Sequence, residues 1–579
     1  MPNPQHLLHL WTRKRVAGQR KPVDIPNTVP TTEAIFLIMR RMRMPLIVVI
    51  TAFSFCTGGM MLMPGIDPDG NPYRLNIFDA FYQMTITLTT VGFTEAPYAF
   101  SYPQRMWMTF SIFLLVISWA YAIGVFFALI QSDAFQTAVA TQQFRRQVRR
   151  LVEPFIIIAG YGDAGRIVGV ELDEHYRRFV LIERREERAE AVVSQQLSFD
   201  VPALHGDCTS PAVLGMAGLG HKDCEGVLAL TGDDDTNLAV VMATSLLRPD
   251  LPALGRCTHK HTRARMEHFA PASAISSDDR FGEYLGLSIH RPVTYQLLLW
   301  LMENDEEKLL PVRTDLAARR WLVCVDGEFG EEVVSDLAAA GVSVELIAPS
   351  VSEPDVSGSV GFVAGTGNDT VNIALAEHTR HANPDAYIVL RQQNNAKKPL
   401  IDALQIDSVY IATELVAREV LARILTPEFW SFVEHALTQD DQWATRVRDH
   451  LVDRCDERTP QRHVLTLSAQ QAPAIAEWLR RGQSLTLGDL MRRPDDREAT
   501  LPLAALVVVR DGEPMFVPSE DTPLALDDKV LLVGKTAGLD QVSEICHYSA
   551  TIEYLATGQE VPQSWVWAKL TARRRAGRT

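Results

Sequence analysis

Two long apolar runs without a single charged residue place the strongest constraint on how this chain can fold. Residues 44–63 provide 20 uncharged positions, and residues 106–130 provide 25. As helices with a rise of about 1.5 Å per residue, both runs can cross a hydrocarbon layer about 30 Å thick. The first run lies too deep in the chain for a cleaved signal peptide, and it lacks a small-residue cleavage site. The sequence therefore predicts two membrane-spanning helices.

The basic residues around the two runs predict their orientation. The segment between the runs carries only Arg74 and Arg105. Because cytoplasmic flanks are enriched in Lys and Arg, both termini are predicted to be cytoplasmic and residues 64–105 to lie outside. The expected location is the inner (plasma) membrane. The basic flanking residues are Arg13, Lys14, Arg15, Arg20, Lys21, Arg40, Arg41, Arg43, Arg145, Arg146, Arg149 and Arg150.

The rest of the chain has the composition of a soluble body. The net charge of the chain is −15, although its first 150 residues are basic at both ends, so the acidity belongs to the part that follows. Seven cysteines are scattered without a CxxC pair. This spacing predicts reduced thiols in a cytosolic body, and neither disulfides nor a zinc site. No nucleic-acid partner is expected.

The segment between the two runs contains a threonine-rich stretch that ends in Val-Gly-Phe. Residues 77–90 carry apolar residues on one helical face, which predicts a short helix that ends at Thr90. The negative end of its dipole favours a cation. Backbone carbonyls and threonine hydroxyls can replace the water of an ion, and glycine permits the left-handed backbone that aligns successive carbonyls. The pattern predicts a cation-binding pore loop within residues 77–95.

This stretch resembles the potassium-channel signature T-x-T-T-V-G-[YF]-G-[DE] at eight of nine positions, from Thr87 to Glu95. The resemblance implies a selectivity filter that binds K+ through carbonyls of several chains around one axis. One chain carries one such loop, so the resemblance also implies a homotetramer with Glu95 at the outer mouth. The filter residues implied are Thr90, Val91, Gly92, Phe93 and Thr94, with K+ at the first four.

Thr94 is the one departure from the signature, which has glycine there. A β-branched residue at positive φ costs roughly 1 kcal/mol or more. A weakly selective monovalent cation channel is therefore kept as an alternative. No helix with an arginine at every third position is present, which argues against a voltage sensor. Gly124, the only glycine of the second run, is the predicted gating hinge, and a glycine that lets helices approach is the alternative.

Residues 155–183 have the pattern of a dinucleotide-binding unit, with a strand, a glycine turn, a helix and a second strand that ends in Glu183. In this pattern one glycine permits the turn, one lets a pyrophosphate approach the helix, and one packs the helix on the strand. Glu183 favours NAD(H) or an adenine nucleotide over NADP, although Arg184 beside it weakens that preference. A Rossmann fold without a ligand is the alternative. The turn reads Gly160, Tyr161, Gly162, Asp163, Ala164 and Gly165.

The following segment resembles the RCK domain (regulator of K+ conductance) in its GDxT, AG and DDxxN motifs, within a continuous resemblance over residues 154–280. The resemblance implies that Asp207, with Cys208 beside it, lies near a regulatory nucleotide such as NAD(H), ADP or ATP. A second copy begins at Trp321. It has Val325 in place of the first glycine and no acid after its second strand, so we expect it to assemble and not to bind a dinucleotide.

Two further segments concern divalent cations and lipid. Calcium-gated RCK members place acids just after the fifth strand, whereas residues 254–263 here are basic and rich in histidine, so no calcium site is assigned. His259 and His261 are spaced to share one face of a strand and could bind a metal, although a surface loop is favoured. The basic tail 564–579 contains tryptophans and predicts either contact with anionic lipid or a disordered solubilising end.

These patterns predict a membrane α-helical pore domain plus α/β Rossmann-like RCK domains in two tandem copies, with a small C-terminal α+β subdomain. The expected function is a ligand-gated K+ channel and not an enzyme. A membrane-anchored NAD-dependent oxidoreductase is the alternative from another class. The predicted limits are an N-terminal segment 1–33, pore domain 34–132, linker 133–153, first RCK domain 154–317, second RCK lobe 318–455, C-terminal subdomain 456–548 and basic tail 549–579.

Overall fold

A computed structural model of one chain provides the structure, and its contacts divide the chain into two units. The helical unit comprises residues 26–151 with 215–217, and the α/β unit comprises residues 152–214 and the chain from 218 onward. Most of the predicted N-terminal segment, the filter residues Phe93 and Thr94, and the tail from 560 lie outside the described residues. The structure describes residues 25–26, 34–92, 95–271, 273–302, 308–309, 311–317, 320–339, 341–393 and 397–559.

The helical unit contains both apolar runs, in helix α1 (Ala34–Leu62) and, after the segment between them, in a second long helix (Tyr102–Ile130). By length and composition, Arg40–Leu62 and Tyr102–Ile130 can each cross a membrane. Among the described residues these are the two helices that meet this test. The elements after α1 are β1 (Gly65–Ile66), β2 (Pro72–Tyr73), α2 (Ile77–Leu88), α3 (Tyr102–Ile130) and α4 (Asp133–Arg149).

Helices α1 and α3 pack closely at one glycine. A Cβ atom on Gly59 would lie 1.9 Å from the Trp107 ring, so only glycine fits this contact. The indole Nε1 of Trp107 donates a 3.0 Å hydrogen bond to the carbonyl of Cys56, which satisfies a polar group in apolar surroundings. Helix α2 completes the core. The buried apolar residues of this core are Ala52, Cys56, Met60, Leu75, Ala80, Met84, Phe100 and Leu115.

The first lobe of the α/β unit is a six-stranded parallel sheet in the order β5-β4-β3-β6-β7-β8. Its strands are apolar and buried because helices cover both faces of a parallel sheet. The elements are β3 (Phe155–Ala159), α5 (Asp163–Glu174), β4 (Arg178–Glu183), α6 (Glu186–Ser194), β5 (Ala203–His205), α7 (Pro211–Met216), β6 (Cys224–Ala229), α8 (Asp234–Leu247), β7 (Ala253–Cys257), α9 (Lys260–Phe269), β8 (Ala274–Ser276), α10 (Ser277–His290) and α11 (Pro292–Met302).

The second lobe repeats this architecture with one strand fewer, as a five-stranded parallel sheet in the order β10-β9-β11-β12-β13. The counterpart of β5 is absent among the described residues, in agreement with the shortened sequence around 350–360. The elements are β9 (Trp321–Val325), α12 (Gly327–Ala339), β10 (Val344–Leu346), β11 (Gly361–Gly365), α13 (Asp369–Ala382), β12 (Tyr387–Gln392), α14 (Lys398–Ala403), β13 (Ser408–Ile411) and α15 (Ala412–Leu425).

The two lobes exchange their last helices. Helix α15 follows the last strand of the second lobe, but its Val416 and Val420 pack in the core of the first lobe with Ile158. Helix α10 follows the last strand of the first lobe, but its Phe281 packs in the core of the second lobe with Val323. A limit at residue 317 therefore does not separate two self-contained cores, because periodicity within a helix does not reveal which sheet the helix covers.

A buried ion cluster joins the exchanged helices. Arg280 of α10 binds the carboxylate of Glu419 on α15 through Nε at 2.9 Å and Nη2 at 3.1 Å, and Arg423 also pairs with Glu419. Burial acts to raise the pKa of Glu419, but the two guanidinium groups outweigh it and hold this pKa below its usual value. The cluster links the lobes because a charge that is removed from water is stable only when an opposite charge lies beside it.

The C-terminal subdomain contains a four-stranded antiparallel sheet in the order β14-β17-β15-β16. One set of its buried residues packs with helices α11, α16 and α17, and another packs with the helices that follow in the chain. The elements are α16 (Pro427–Thr438), α17 (Asp441–Cys455), β14 (Gln461–Thr466), α18 (Pro473–Arg480), α19 (Leu487–Leu490), β15 (Leu503–Arg510), β16 (Glu513–Phe516), β17 (Lys529–Gly534), α20 (Thr536–Ile545) and α21 (Ser549–Thr557).

Candidate functional site

The glycine turn of the first lobe has the backbone geometry that its sequence predicted. Gly160 takes a φ of +98°, and a Cβ atom there would lie 2.9 Å from the backbone nitrogen of Thr231 on the neighbouring strand end. A Cβ on Gly165 would lie 2.2 Å from the carbonyl oxygen of Gly160, so helix α5 can approach the strand only at a glycine. Gly162 caps α5, and a Cβ there would lie within 4 Å of one side-chain atom, the Nη1 of Arg188 at 3.7 Å.

Glu183 lies at the end of β4 and faces the same turn. Its buried carboxylate accepts hydrogen bonds from the backbone nitrogen of Tyr161 at 2.6 Å and from that of Arg185 at 2.9 Å. Each carboxylate oxygen has a further lone pair, which suits the vicinal hydroxyls of a ribose. Arg184 beside it is exposed and carries a positive charge at the rim.

Asp207 and Cys208 follow β5 at the same edge of the sheet. The backbone of the preceding residue, Gly206, donates to the carbonyl of Glu183 at 2.9 Å and so holds this loop next to the acid. Asp207 Oδ1 accepts bonds from the nitrogen and hydroxyl of Thr209. Cys208 is buried, and burial, helped by the charge of Asp207, raises the pKa of its thiol to about 11. The thiol therefore stays neutral.

Three of the predicted site residues contribute to the core with their side chains. Tyr161 is buried, and its hydroxyl donates to Gln195 at 3.0 Å. Ala164 packs in the core of the lobe, and the Cys208 side chain is likewise buried. Only the backbone of these residues is left for a ligand. The other turn residue, Asp163, is exposed in the first turn of α5.

One residue of this cleft was missed by sequence reasoning. Arg188 lies in the first turn of α6, and its Nη1 atom would be 3.7 Å from a Cβ on Gly162. Its exposed guanidinium thus lies over the turn where a pyrophosphate approaches α5. The signal in the sequence was a basic residue five positions after Glu183, but nothing in the chain order shows that α6 returns to the glycine turn.

The first turns of α8 and α9 contact each other through Asp234. Asp234 accepts bonds from the backbone nitrogens of Thr258 and His259, and from His259 Nδ1 at 3.0 Å. The expectation that His259 and His261 share a strand face is wrong, because β7 ends at Cys257 and His259 caps helix α9. Their rings lie 5.4 Å apart between centroids. Within the described part of the chain, no group of three metal-ligating side chains is present.

The corresponding turn of the second lobe has different side chains, although Gly327, the equivalent of Gly162, has open space around it. Asp326 accepts from the backbone nitrogen of Gly367 at 2.9 Å and 3.1 Å, across the mouth of the turn. A Cβ atom on Gly330 would lie 2.9 Å from the Cγ2 atom of Val325. By the register of the paired strands, the exposed Ala348 has the place in the second lobe that Glu183 has in the first, so no acid stands at that position.

The filter segment caps the pore helix in this single chain. The backbone nitrogens of Val91 and Gly92 donate to the carbonyl of Ile86 at 3.0 Å and 3.3 Å. Thr90 and Gly92 take φ values of 60° and 62°, and the left-handed backbone at Gly92 is the conformation that glycine permits. The end of a helix leaves carbonyls that need donors, and here the chain supplies them from its own next residues.

The threonine hydroxyls of this stretch are largely used within the helix. The hydroxyls of Thr85, Thr87 and Thr89 each donate to the carbonyl one turn earlier, at 2.7–2.8 Å. This leaves Thr90 as the threonine at the exposed end of the helix. Gly124 lies inside α3, which is one continuous helix, with open space where a Cβ would stand. Its role as a hinge stays a prediction.

Comparison with known proteins places the first lobe in a family of domains. Residues 156–277 match the TrkA-N domain. Over 177 residues, or 30% of this chain, the sequence is 23% identical to Potassium channel protein 1 of Methanocaldococcus jannaschii. The aligned region spans 51% of that protein, so the chain covers about half the length of this curated relative.

Solved structures with a similar arrangement include two of GsuK. The GsuK channel bound to NAD has a TM-score of 0.40 and 14% identity, and the match covers 89% of this chain and 99% of that one. GsuK bound to ADP has a TM-score of 0.38 and 16% identity, and the match covers 68% and 100%. The TrkA-N match and the parallel sheets described above confirm the predicted Rossmann-like RCK fold, and two apolar helices accompany it.

Proposed function

We propose that this protein is a ligand-gated potassium channel of the inner (plasma) membrane whose RCK lobes respond to an adenine-containing nucleotide. The observation that carries the proposal is the joint presence of a potassium-channel filter signature between two apolar helices and an open glycine turn with Glu183 in the first lobe. The similarity to a potassium channel protein of M. jannaschii over 177 residues supports it. Conduction is passive, so the protein needs no catalytic residue.

The pore requires four chains. We propose a homotetramer in which Thr90, Val91, Gly92 and Phe93 of each chain supply oxygen ligands to K+. The cap at Val91 and Gly92 seen in one chain then has to open into a strand whose carbonyls face the axis. The negative end of the α2 dipole favours a cation at that place. Eight RCK lobes form the cytoplasmic ring of this assembly, with both termini of each chain on the same side of the membrane.

The nucleotide site is proposed in the first lobe. Glu183 binds the ribose hydroxyls, the N-terminus of α5 at Gly162 receives the phosphates, and Arg188 adds a positive charge there. NAD(H), ADP and ATP share these groups. A bound nucleotide shifts the ring only by its difference in affinity for the open and closed states. The second lobe is proposed to assemble without a dinucleotide, because Val325 replaces the first glycine and Ala348 stands in the place of Glu183.

The test is a K+ flux assay on proteoliposomes, with NAD+, NADH, ADP, ATP and Ca2+ added one at a time. We expect K+ flux that changes with at least one adenine nucleotide. Glu183→Ala and Arg188→Ala are expected to remove the response to that nucleotide, and Asp326→Ala in the second lobe, as a matched control, is expected to keep it. An unchanged response in Glu183→Ala would contradict the assignment of the site.

The weakly selective cation channel remains a second proposal because Thr94 replaces a glycine of the signature. Bilayer recordings under mixed K+ and Na+ gradients separate the two. A reversal potential near that of K+ supports the potassium channel, and comparable permeability to both ions supports the alternative. The oxidoreductase proposal would be revived by nucleotide-dependent hydride transfer to any screened substrate.

A further inference from the structure

An ion pair lies immediately outside the proposed filter. Glu95 is three residues after Gly92, and its carboxylate contacts Arg105 in the first turns of helix α3. Arg105 Nη2 donates to Glu95 Oε2 at 3.2 Å, and Arg105 Nε lies 3.2 Å from Glu95 Oε1. The backbone nitrogen of Phe100 also donates to Glu95 Oε2, at 2.7 Å. Both oxygens of Glu95 are therefore engaged by its own chain.

Arg105 is held in place by a firmly anchored helix start. Its backbone nitrogen donates to the carbonyl of Ser101 at 2.9 Å, and the Ser101 hydroxyl donates to the carbonyl of Pro64 at 2.6 Å. Gln104, next to Arg105, is fully buried, and its Oε1 accepts from the backbone nitrogen of Ser101 at 3.0 Å. These bonds fix the backbone of Arg105, whereas its side chain is 60% exposed and meets Glu95 as a surface pair.

The pair also determines the charge carried by the segment after the filter. The bond from Phe100, together with the hydrogen bond and charge of Arg105, holds the pKa of Glu95 below its usual value, so the carboxylate is ionised at neutral pH. Its negative charge is matched by one positive charge on the same chain. In an acidic ring without such partners, four unpaired carboxylates would attract cations to the entrance.

We propose that Arg105 sets the electrostatic potential of the outer entrance by neutralising Glu95, so that K+ enters past a ring of ion pairs and not past a ring of free acids. This inference rests on the proposed channel function. It adds a basic partner to the acidic residue, Glu95, that the resemblance implies at the outer mouth. It assigns to Arg105 a role in setting conductance, which the signature sequence does not include.

The experiment compares single-channel K+ currents of the full-length protein in planar bilayers at low and high salt. The Debye length is about 30 Å at about 0.01 M salt and about 3 Å at about 1 M. The net charge at the entrance should therefore change the current at low salt and have little effect at high salt. Arg105→Gln frees the charge of Glu95 and is expected to raise the inward current roughly two- to ten-fold at low salt. Glu95→Gln leaves Arg105 unpaired and is expected to lower it.

Two further variants keep the test decisive. The double variant Glu95→Gln/Arg105→Gln removes both charges and is expected to return to the wild-type current. Arg105→Lys keeps the charge but not the guanidinium fork, and it is expected to conduct like the wild type. A current in Arg105→Gln equal to or below the wild type at low salt would overturn the inference. So would a change in current that is the same at both salt concentrations, because that points to filter geometry.

The experiment distinguishes failure of the proposed channel function from failure of the inference about the entrance. If the wild type carries no K+ current, the channel proposal fails and the inference about the entrance fails with it. If the wild type conducts and only the salt-dependent effect of Arg105→Gln is missing, the inference alone fails. A thermal unfolding cycle checks the pair itself, with the wild type, Arg105→Gln, Glu95→Gln and the double variant as its four proteins. A midpoint for the double variant equal to those of the single variants supports the pair, and additive losses contradict it.

Discussion

The two lobes of the α/β unit share a scaffold but differ at the turn where a nucleotide would bind. In both, a buried asparagine on the helix after the central strand accepts from a threonine nitrogen, at 3.0 Å from Thr231 to Asn237 and 2.9 Å from Thr366 to Asn372. In both, the same asparagine donates to the next strand end. The duplicated bonds preserve the sheet, because a buried polar group must keep its partners.

The difference lies in the residues around the turn. The first lobe has Gly160, the guanidinium of Arg188 beside Gly162 and the carboxylate of Glu183. The second lobe has Val325, and Asp326 bonds across the turn to Gly367. The comparison teaches that the fold of such a lobe and its ligand chemistry are encoded by separate residues. One copy can keep the fold after it has lost the chemistry.

The largest effect is expected from the cluster that holds the lobes together. Glu419→Ala removes the acid shared by the buried Arg423 and the partly buried Arg280, which keeps its pair with Glu283, and we expect a cost of about 3–5 kcal/mol of unfolding free energy because Arg423 stays buried. Denaturant unfolding of the full-length protein in detergent measures this. Glu477→Ala removes an exposed pair with Arg481 and serves as the control, with an expected loss below about 1 kcal/mol. Equal losses in the two variants would show that the cluster does not join the lobes.

The second prediction contrasts equivalent glycines of the two lobes. In Gly165→Ala the new Cβ meets a backbone oxygen that cannot move, and we expect a loss of about 3 kcal/mol or more. In Gly330→Ala it meets the side chain of Val325, which can shift, and we expect about 1 kcal/mol. Thermal unfolding with limited proteolysis of each lobe measures both. The contrast between the lobes would be refuted if Gly330→Ala were the more damaging substitution.

The third prediction concerns ligand affinity. Glu183→Gln removes the charge of the carboxylate that would accept hydrogen bonds from the ribose hydroxyls. Hydrogen bonds to a charged group contribute about 1.5–3 kcal/mol, so we expect the affinity for ADP or NAD to weaken roughly 10- to 100-fold. Asp326→Asn makes the same change in the second lobe and should leave the affinity unchanged. Calorimetric titration of the purified protein measures both. An equal loss in Asp326→Asn would place a binding site in the second lobe as well.

The smallest effect is a pH dependence at the edge where the lobes meet. The bond to Asp234 raises the pKa of His259, and His259 Nε2 lies 3.8 Å from Glu328 of the second lobe. A raised pKa means that this stabilisation is fully present below the ordinary pKa of about 6.5 and is lost as pH rises through the folded-state value. Because His259 is half exposed, the effect should stay below about 1 kcal/mol.

The measurement is the difference in unfolding temperature between the wild type and His259→Gln at several pH values. We expect this difference to shrink as the pH rises from about 5 to about 9, since the histidine loses its charge over that range. His268→Gln, on the last turn of the same helix, is the control and should show no such trend. A difference that grows with pH would show that neutral His259 is the stabilising form.

Some parts of the structure followed from local patterns. The apolar runs gave both long helices because length and lack of charge are properties of the segment itself. The glycine turn was predictable residue by residue, since Gly160 and Gly165 are required by backbone geometry within one strand-turn-helix unit. The loss of one strand in the second lobe was visible as missing residues. The strand face predicted for His259 and His261 was wrong because the end of β7 could not be located to within two residues.

The sequence by itself determined the two apolar helices, the parallel α/β lobes and the presence of the first glycine and the acid in one lobe alone, because each depends on neighbours in the chain. Only the tertiary structure decided that α10 and α15 exchange lobes, that Arg188 lies over Gly162 and that Arg105 pairs with Glu95. No pattern in the sequence indicates that the segments joined by these contacts lie next to each other. Their energies come from burial and charge, which exist only after the chain has folded.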